Sequence, residues 1–285
     1  MRSAIRSLVR APAGVAGAVL VLVVLAVAAL APVLPVQAPL AQDLTHAFAP
    51  PAWSPGGSSA HLLGTDQLGR DVFSRLLHGT TVSLQVGLAA TTVGAVVGIV
   101  LGAVSGYAGG VVDTVIMRVV DIQLAFPFIL LAIFVASVLG PSLNNVIYVA
   151  ALSVWVQFAR LVRGEILSVK NQEYVAAART LGLPSPLVLL RHVLPNVAGA
   201  IIVLATLVLA DVILIEASLS FLGLGVPSET PTWGKMLSEA RVYILTDPLQ
   251  AVFPGAAITL TVLGVNLFGD WLRDHLDPRL RQVRP

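Results

Sequence analysis

A polar segment with several charged side chains runs from Asn171 to Asn196, between long uncharged stretches in the second half of the chain. Asn171 is a favourable helix N-cap, and Glu173 stands in the first turn, where the helix dipole favours a negative charge. The i, i+4, i+7 spacing of Tyr174, Ala178 and Leu181 places them on one face of this helix. These residue types suit recognition of another protein, so the segment is predicted to be a docking site.

Residue types also predict where this helix ends and where the next one begins. Gly182 is placed at the C′ position, where a glycine commonly stops a helix. Ser185 can cap a second short helix with Pro186 at its first position, and this helix should end by Leu194 because Pro195 follows. Residues 171–195 are therefore predicted to form a helical hairpin.

Two acidic residues, Asp211 and Glu216, lie in an otherwise apolar stretch that begins near Asn196. On a helix they would lie roughly 22 Å and 30 Å from Asn196, because the rise is about 1.5 Å per residue. Charged residues inside a membrane span are rare and commonly functional. They are candidates for lining a polar path, where they would contact an amino group or a cation. The alternative is that they hydrogen-bond to a neighbouring span or to another subunit.

The chain lacks the residue sets of an ATPase, a metal centre or a hydrolase. A P-loop needs a lysine followed by Ser or Thr, but Lys170 and Lys235, the two lysines, precede Asn171 and Met236. The five histidines form no i, i+3 or i, i+4 ligand pair, and cysteine is absent. We expect no catalytic residue, cofactor or metal in this chain, so any ATP hydrolysis must come from another subunit.

The composition predicts a membrane protein. Hydrophobic residues make up 56% and charged residues 11% of the 285 residues, and the mean hydropathy is +0.89. So little polar surface cannot coat a soluble globule of this size. Because a span needs about 20 helical residues, we predict an all-α polytopic protein with six transmembrane helices. They lie near Gly14–Leu34, Thr81–Ser105, Val119–Leu139, Val146–Phe158, Asn196–Leu219 and Ala251–Trp271.

Basic residues predict the orientation of these spans. If the N-terminus is cytoplasmic, 13 of the 17 basic residues fall in cytoplasmic segments. The four outside are Arg70, Arg75, Lys235 and Arg241. The positive-inside rule therefore places both termini and the hairpin in the cytoplasm. The first apolar run is longer than the usual signal-peptide core of about 7 to 15 residues, which favours an uncleaved span.

The segment from His61 to Leu84, which precedes the second span, carries oppositely charged residues at helical spacing. Thr65 can cap a helix here. Two i, i+4 ion pairs would then form along it, Asp66–Arg70 and Asp71–Arg75. We expect an amphipathic helix that lies on the outer leaflet, with direct contact to a protein partner as the alternative.

Four segments carry distinctive motifs in sequence order, namely GTDQLGRDVFSRLLHGTTVSL within His61–Leu84, MRVVDIQLAFPFILL at Met117–Leu131, EASLSFLGLGVPSETPTWGKML at Glu216–Leu237 and DWLRDHLDPR at Asp270–Arg279. Together they resemble motifs of one permease type, the second or C-type subunit of ABC importers for dipeptides, oligopeptides and nickel. In the second of these segments, Arg118 and Asp121 are predicted to pair at i, i+3.

The hairpin resembles the cytoplasmic coupling loop of the same family. Ala177, Ala178, Gly182, Leu194 and Pro195 match its pattern. Ala176 stands where the family has a glutamate, and Glu173 lies one turn earlier, where it can take over part of that electrostatic role. The resemblance implies that the hairpin contacts ATPase subunits through Glu173, Tyr174, Ala177, Ala178, Arg179 and Gly182.

The resemblance covers roughly residues 63–279 and implies the type I ABC importer permease fold. Residues 1–79 would form an N-terminal span plus an outer segment, and residues 80–285 a five-span core. The implied partners are a second, homologous permease subunit, two ATP-binding subunits that carry ATP and Mg²⁺, and an extracytoplasmic solute-binding protein. The implied location is a bacterial inner membrane. The outer loop from Leu222 to Asp247 would face the sister permease and the binding protein.

A permease subunit for peptides or related small solutes is the function that these patterns favour. An ion-coupled secondary transporter or channel is the alternative, although we find no inverted repeat and no charge relay at mid-membrane. An intramembrane enzyme is disfavoured by the missing catalytic residues. Members of the family carry dipeptides, longer peptides, glutathione, opines or nickel chelates. No residue in this chain indicates which of these solutes it transports.

Overall fold

The structure is a computed structural model that describes residues 7–9, 11–227 and 229–276. The helices are, in chain order, α1 (Pro12–Leu30), α2 (Val72–Ala108), α3 (Gly110–Ala125), α4 (Phe128–Leu139), α5 (Leu143–Val169), α6 (Glu173–Thr180), α7 (Ser185–Val188), α8 (Leu194–Phe221), α9 (Trp233–Ala240) and α10 (Leu249–Leu276). Short 3₁₀ turns lie at Leu44–His46 and Arg241–Tyr243. Within these described ranges there is no β-strand.

The helices long and apolar enough to cross a membrane are α1, α2, α5, α10 and the continuous helical run Ser185–Phe221 that contains α8. A sixth span results if α3 and α4 are taken together. These observations confirm the predicted all-α, polytopic fold class. The fourth predicted span is longer than expected, because Leu143–Val169 extends beyond the apolar core of Val146–Phe158.

The third predicted span, Val119–Leu139, is wrong as a straight helix. Its axis bends by 88° between α3 and α4. Pro127 causes the break, because a proline lacks an N–H donor and disfavours helical geometry in the residue before it. Phe126 accordingly has an extended ψ of 128°. The predicted Arg118–Asp121 pair is also wrong, since Asp121 instead accepts a hydrogen bond from Arg160 on α5 at 2.8 Å.

The core lies where α2, α5 and α8 meet. Its buried members include Val86 on α2, Val154 and Phe158 on α5, and Val212 on α8. The α2–α5 contact is the most extensive helix–helix contact in the described part of the chain. It depends on glycines at four-residue intervals along α2, namely Gly94, Gly98, Gly102 and Gly106, which face the backbone or side chains of α5.

The first span packs lengthwise against the last one. Gly17 on α1 lies against Gly264 on α10 at this contact. Gly14 lies against the ring of Trp271 on α10.

The predicted division of the chain into residues 1–79 and 80–285 falls inside α2, which runs unbroken from Val72 to Ala108.

Candidate functional site

The first helix of the hairpin, α6, begins at Glu173 with Gln172 as its N-cap residue. The predicted Asn171 cap is wrong, because the Asn171 side chain donates to the Leu167 carbonyl at 3.1 Å and so completes the last turn of α5. Glu173 lies in the first turn of α6 as predicted. Its carboxylate therefore still stands at the positive end of the helix dipole.

Gly182 ends α6 as predicted. Its φ is +79°, in the left-handed region that favours glycine. The Gly182 N–H donates to the Arg179 carbonyl at 2.9 Å, and the Leu183 N–H donates to the Ala178 carbonyl at 3.3 Å. These two bonds form a complete Schellman motif. No atom lies within 4 Å of the place that a Cβ would take, so a side chain here would strain the backbone without a steric clash.

The second helix of the hairpin does not end before Pro195, which corrects the prediction. A π-helical turn at Leu189–Val193 joins α7 directly to α8. The Leu194 N–H bonds to the Leu189 carbonyl, five residues back. This wider turn accommodates Pro195, which can neither donate a backbone hydrogen bond nor fit a regular helix without a clash. Pro184, not Ser185, takes the N-cap position. Because the helical run is continuous, the hairpin joins the fifth span without a flexible linker.

One face of α6 is buried against the transmembrane helices. Val175 and Ala178 pack with Ala103 on α2, Ile166 on α5 and Val197 on α8. The predicted common face of Tyr174, Ala178 and Leu181 is therefore wrong. Tyr174 is exposed, and Leu181 is 82% exposed at the helix end. The i, i+3 spacing of Val175 and Ala178 sets the buried stripe.

The other residues predicted for partner contact lie on the outer surface of the hairpin. Glu173, Tyr174, Ala177, Arg179 and Gly182 are all exposed. They form a surface that combines an acidic, an aromatic and a basic side chain with small residues. Ala178 is the exception, because it faces the protein's own core.

Two contacts that local spacing does not predict attach the hairpin, and Lys170 directly before it, to the end of α2. The Arg179 guanidinium lies 5.2 Å from the centroid of the Tyr107 ring, a cation–π distance. Lys170 Nζ donates to the Gly106 carbonyl at 2.7 Å. The partners are more than 60 residues apart in sequence. The only signal of these contacts in the sequence is Tyr107, an aromatic residue close to Gly109 and Gly110. The hairpin is thus held by α2, α5 and α8 together.

The two acidic residues of α8 have different surroundings. Glu216 is fully buried and accepts hydrogen bonds from Ser83 of α2 at 3.1 Å and from Ser220 at 2.8 Å. It therefore joins α8 to α2, as in the alternative considered for it. Asp211 is exposed, and no hydrogen bond or ion pair to it occurs among the described residues.

The segment before α2 is not an amphipathic helix on the leaflet surface, which corrects the prediction. α2 begins only at Val72, where Asp71 is the N-cap and accepts from the Ser74 N–H at 2.7 Å. The Asp66–Arg70 pair does form, at 2.7 Å, within a turn. Asp71 does not pair with Arg75 but lies 3.1 Å from His61 Nδ1.

Three charged residues from the start of α2 and the segment before it form a largely buried ion cluster of balanced charge with Glu239 of α9. Arg75 lies between Asp66, at 2.5 Å, and Glu239 of α9, at 2.9 Å. Arg70 bridges the same two carboxylates, each at 2.7 Å. Asp66, Arg70 and Arg75 are buried and Glu239 is half-buried, so these charges do not lie on the leaflet surface. We call Asp66, Arg70, Arg75 and Glu239 the outer ion cluster.

Trp233 at the start of α9 makes a further contact between α9 and α2. It is 2% exposed, so it does not anchor at the membrane interface. Its indole Nε1 donates to the Leu76 carbonyl of α2 at 3.2 Å. Together with the cluster, this bond fixes the loop between α8 and α10 to the start of α2.

Comparisons with known proteins agree with this architecture. Residues 98–282 match the family model described as the inner membrane component of binding-protein-dependent transport systems. The dipeptide transport system permease protein of Alkalihalophilus pseudofirmus is 39% identical over 98% of this chain and 90% of its own length. Glutathione transport system permease proteins of Escherichia coli and Shigella flexneri are 49% and 51% identical, each over 79% of this chain and 75% of their length. The chain therefore belongs to the family of inner-membrane permease components of binding-protein-dependent ABC importers, and is a transport subunit and not an enzyme.

Proposed function

We propose that this chain forms half of the translocation path of an importer for peptides or peptide-like solutes. A homologous permease would form the other half, and an extracytoplasmic binding protein would deliver the solute. Two similar proteins named for dipeptide and glutathione transport support a peptide-like substrate. The hairpin is the main structural support for the proposal. Its polar face is exposed, and its opposite face packs against α2, α5 and α8.

In this proposal the hairpin receives force from ATPase subunits that hold ATP and Mg²⁺. Glu173, Tyr174, Ala177 and Arg179 would contact the ATPase, while Ala178 and Gly182 would hold the shape of the hairpin. Because the hairpin continues into α8 and packs on α2 and α5, a displacement of the hairpin would tilt these spans together. Such rigid-body motion suits alternating access, in which the population shifts between inward-open and outward-open states.

The orientation in this proposal follows from charge. The hairpin and both termini would be cytoplasmic, because 13 of the 17 basic residues then lie inside. The outer loop from Leu222 to Asp247, which contains α9, would face the sister permease and the binding protein. The membrane would be the bacterial inner membrane.

Affinity purification of the tagged chain from native membranes in mild detergent, followed by mass spectrometry, tests the proposed assembly. We expect to recover a second permease and P-loop ATPases, and a binding protein when solute is present. If the chain is recovered alone and moves solute in liposomes without ATP, the assembly is wrong and a secondary transporter or channel is right.

Gly182→Val is expected to uncouple ATP hydrolysis from transport. A β-branched residue at positive φ costs about 1 to 2 kcal/mol, a factor of about 5 to 30 between the native and a rearranged turn. Uptake into cells or liposomes should therefore fall while ATP hydrolysis and membrane insertion persist. Gly182→Asn is the matched control, because asparagine tolerates this conformation, and it should retain transport. Normal uptake by the valine variant would contradict the coupling role.

Asp211→Asn tests whether α8 lines the path. Loss of one charged hydrogen bond to a solute ammonium would lower uptake about tenfold. The amount of ATPase subunit that co-purifies with the chain should stay unchanged. Ser218→Ala is the control, since Ser218 is also exposed on α8 and, among the residues that the structure describes, its hydroxyl donates to the Leu214 carbonyl of its own helix. Unchanged uptake of every solute by Asp211→Asn would remove Asp211 from the path.

A further inference from the structure

A cavity of about 580 Å³ lies between α5, α8 and α10 at the hairpin end of the membrane helices. It is separate from the outward face of the hairpin and from Asp211. Its walls include Leu161 and Glu165 from α5, Asn196 and Leu207 from α8, and Arg273 from α10.

The polarity of this cavity changes along its length. On α8 the lining runs from Asn196 to Leu207, a distance of about 16 Å along the helix axis. Asn196 and Glu165 stand near the hairpin end, and the deeper wall is made by Leu161, Leu204 and Leu207. A cavity with a polar mouth at the membrane interface and an apolar wall toward the membrane centre matches the shape of a lipid. A hydrated solute would lose its water against the deeper wall without gaining polar partners.

The mouth of the cavity holds two opposite charges that are not paired with each other. Glu165 and Arg273 both line it, and within the described residues neither takes part in an ion pair or a side-chain hydrogen bond. Arg273 is exposed and Glu165 is half-buried, so both charges are accessible, and each favours a ligand group of opposite sign through charge-assisted hydrogen bonds. A ligand that satisfies both must carry a cationic and an anionic group.

We propose that this cavity binds one aminophospholipid, with the headgroup ammonium at Glu165, the phosphate at Arg273 and an acyl chain along the wall of Leu161, Leu204 and Leu207. A purely anionic headgroup would place a phosphate beside Glu165 without any compensating cation. A trimethylated headgroup could not donate a hydrogen bond to the carboxylate. The preferred lipid is therefore a phosphatidylethanolamine. The proposal rests on the cavity and the membrane location alone, and not on the substrate or the ATPase partners.

Native mass spectrometry of the detergent-purified complex tests this site with three added lipids, phosphatidylethanolamine, phosphatidylglycerol and phosphatidylcholine. We expect the wild type to retain one phosphatidylethanolamine in preference to the other two. Glu165→Gln should lower that retention about tenfold, as for loss of a charged hydrogen bond, and should remove the preference over phosphatidylcholine. Arg273→Gln should lower retention of all three lipids.

Conservative and neighbouring variants control for misfolding and for unspecific charge effects. Glu165→Asp keeps the carboxylate and should recover most of the preference. Asp274→Asn and Arg191→Gln change charges that lie outside the cavity lining, and both should retain the lipid as the wild type does. Equal retention of the three lipids by the wild type would overturn the proposal. Displacement of the lipid by dialanine would overturn it too, because the cavity would then be a solute site.

Discussion

Arg75→Met is expected to destabilise the outer side of the protein by about 3 to 5 kcal/mol, the range found when one partner of a buried ion pair is removed. The side chain is 3% exposed and lies between Asp66 and Glu239. Without its guanidinium, two carboxylates would share the single charge of Arg70. The excess negative charge would remain buried, since Asp66 is only 4% exposed. Thermal unfolding of the detergent-purified protein, followed as loss of monodisperse elution, measures the effect.

An exposed ion pair in the same chain provides the matched control. Arg160 pairs with Asp121, but both side chains are more than half exposed. Arg160→Met should therefore cost less than about 1 kcal/mol. The double variant Arg75→Met with Glu239→Gln restores charge balance and should recover part of the lost stability. If Arg75→Met and Arg160→Met had equal effects, the outer ion cluster would not be a buried structural unit.

Loss of the outer ion cluster should also release α9 from α2, because Glu239 is the member of the cluster that α9 contributes. Limited proteolysis of the purified Arg75→Met protein should then show faster cleavage in the segment between α8 and α10. Unchanged cleavage there, together with a lowered unfolding temperature, would place the destabilisation in α2 alone.

Gly102→Leu is expected to separate α2 from α5 and to lower stability by about 3 kcal/mol, at the upper end of the cost of overpacking a core. A Cβ at Gly102 would lie 2.5 Å from the Ala159 carbonyl oxygen and 3.0 Å from the Val162 Cβ. The first of these atoms belongs to a helix backbone, so no rotamer change can relieve the contact. The amount of folded protein recovered from membranes and its thermal midpoint should both fall.

Gly164→Ala on α5 is the control for this prediction. No atom lies within 4 Å of a Cβ at that position, and alanine favours a helix over glycine by about 1 kcal/mol. We therefore expect unchanged or slightly higher stability. If Gly102→Leu were as stable as Gly164→Ala, the close approach of the two helices would not be needed for folding.

Local chemistry made several features predictable. A helix stop depends on one residue type and its conformation, so the sequence alone predicts the stop at Gly182. The spans could be located because burial in a membrane needs about 20 apolar helical residues. Pro127 lies within the same apolar stretch, and hydropathy alone does not register a proline, so the bend between α3 and α4 was missed.

Features that depend on distant residues could not be predicted in this way. The i, i+4 spacing pairs Arg75 with Asp71, one turn away, but Arg75 lies against Asp66 and Glu239. Glu216 was a candidate for the path, but it bonds to Ser83, 133 positions earlier in the chain. An i, i+4 rule considers only neighbours on one helix. Where a carboxylate has several partners within reach, the packing of the helices determines which of them it bonds to.

The sequence by itself determined the membrane class, the approximate spans, the position of the hairpin and its glycine stop, because these depend on local composition and backbone preference. Only the tertiary structure decided which face of the hairpin is free, through the burial of Val175 and Ala178, and how the hairpin is held, through Tyr107 and the π-helical turn. The physical reason is that helix packing selects among partners that are equally compatible with the local sequence, and this selection is made by contacts between residues far apart in the chain.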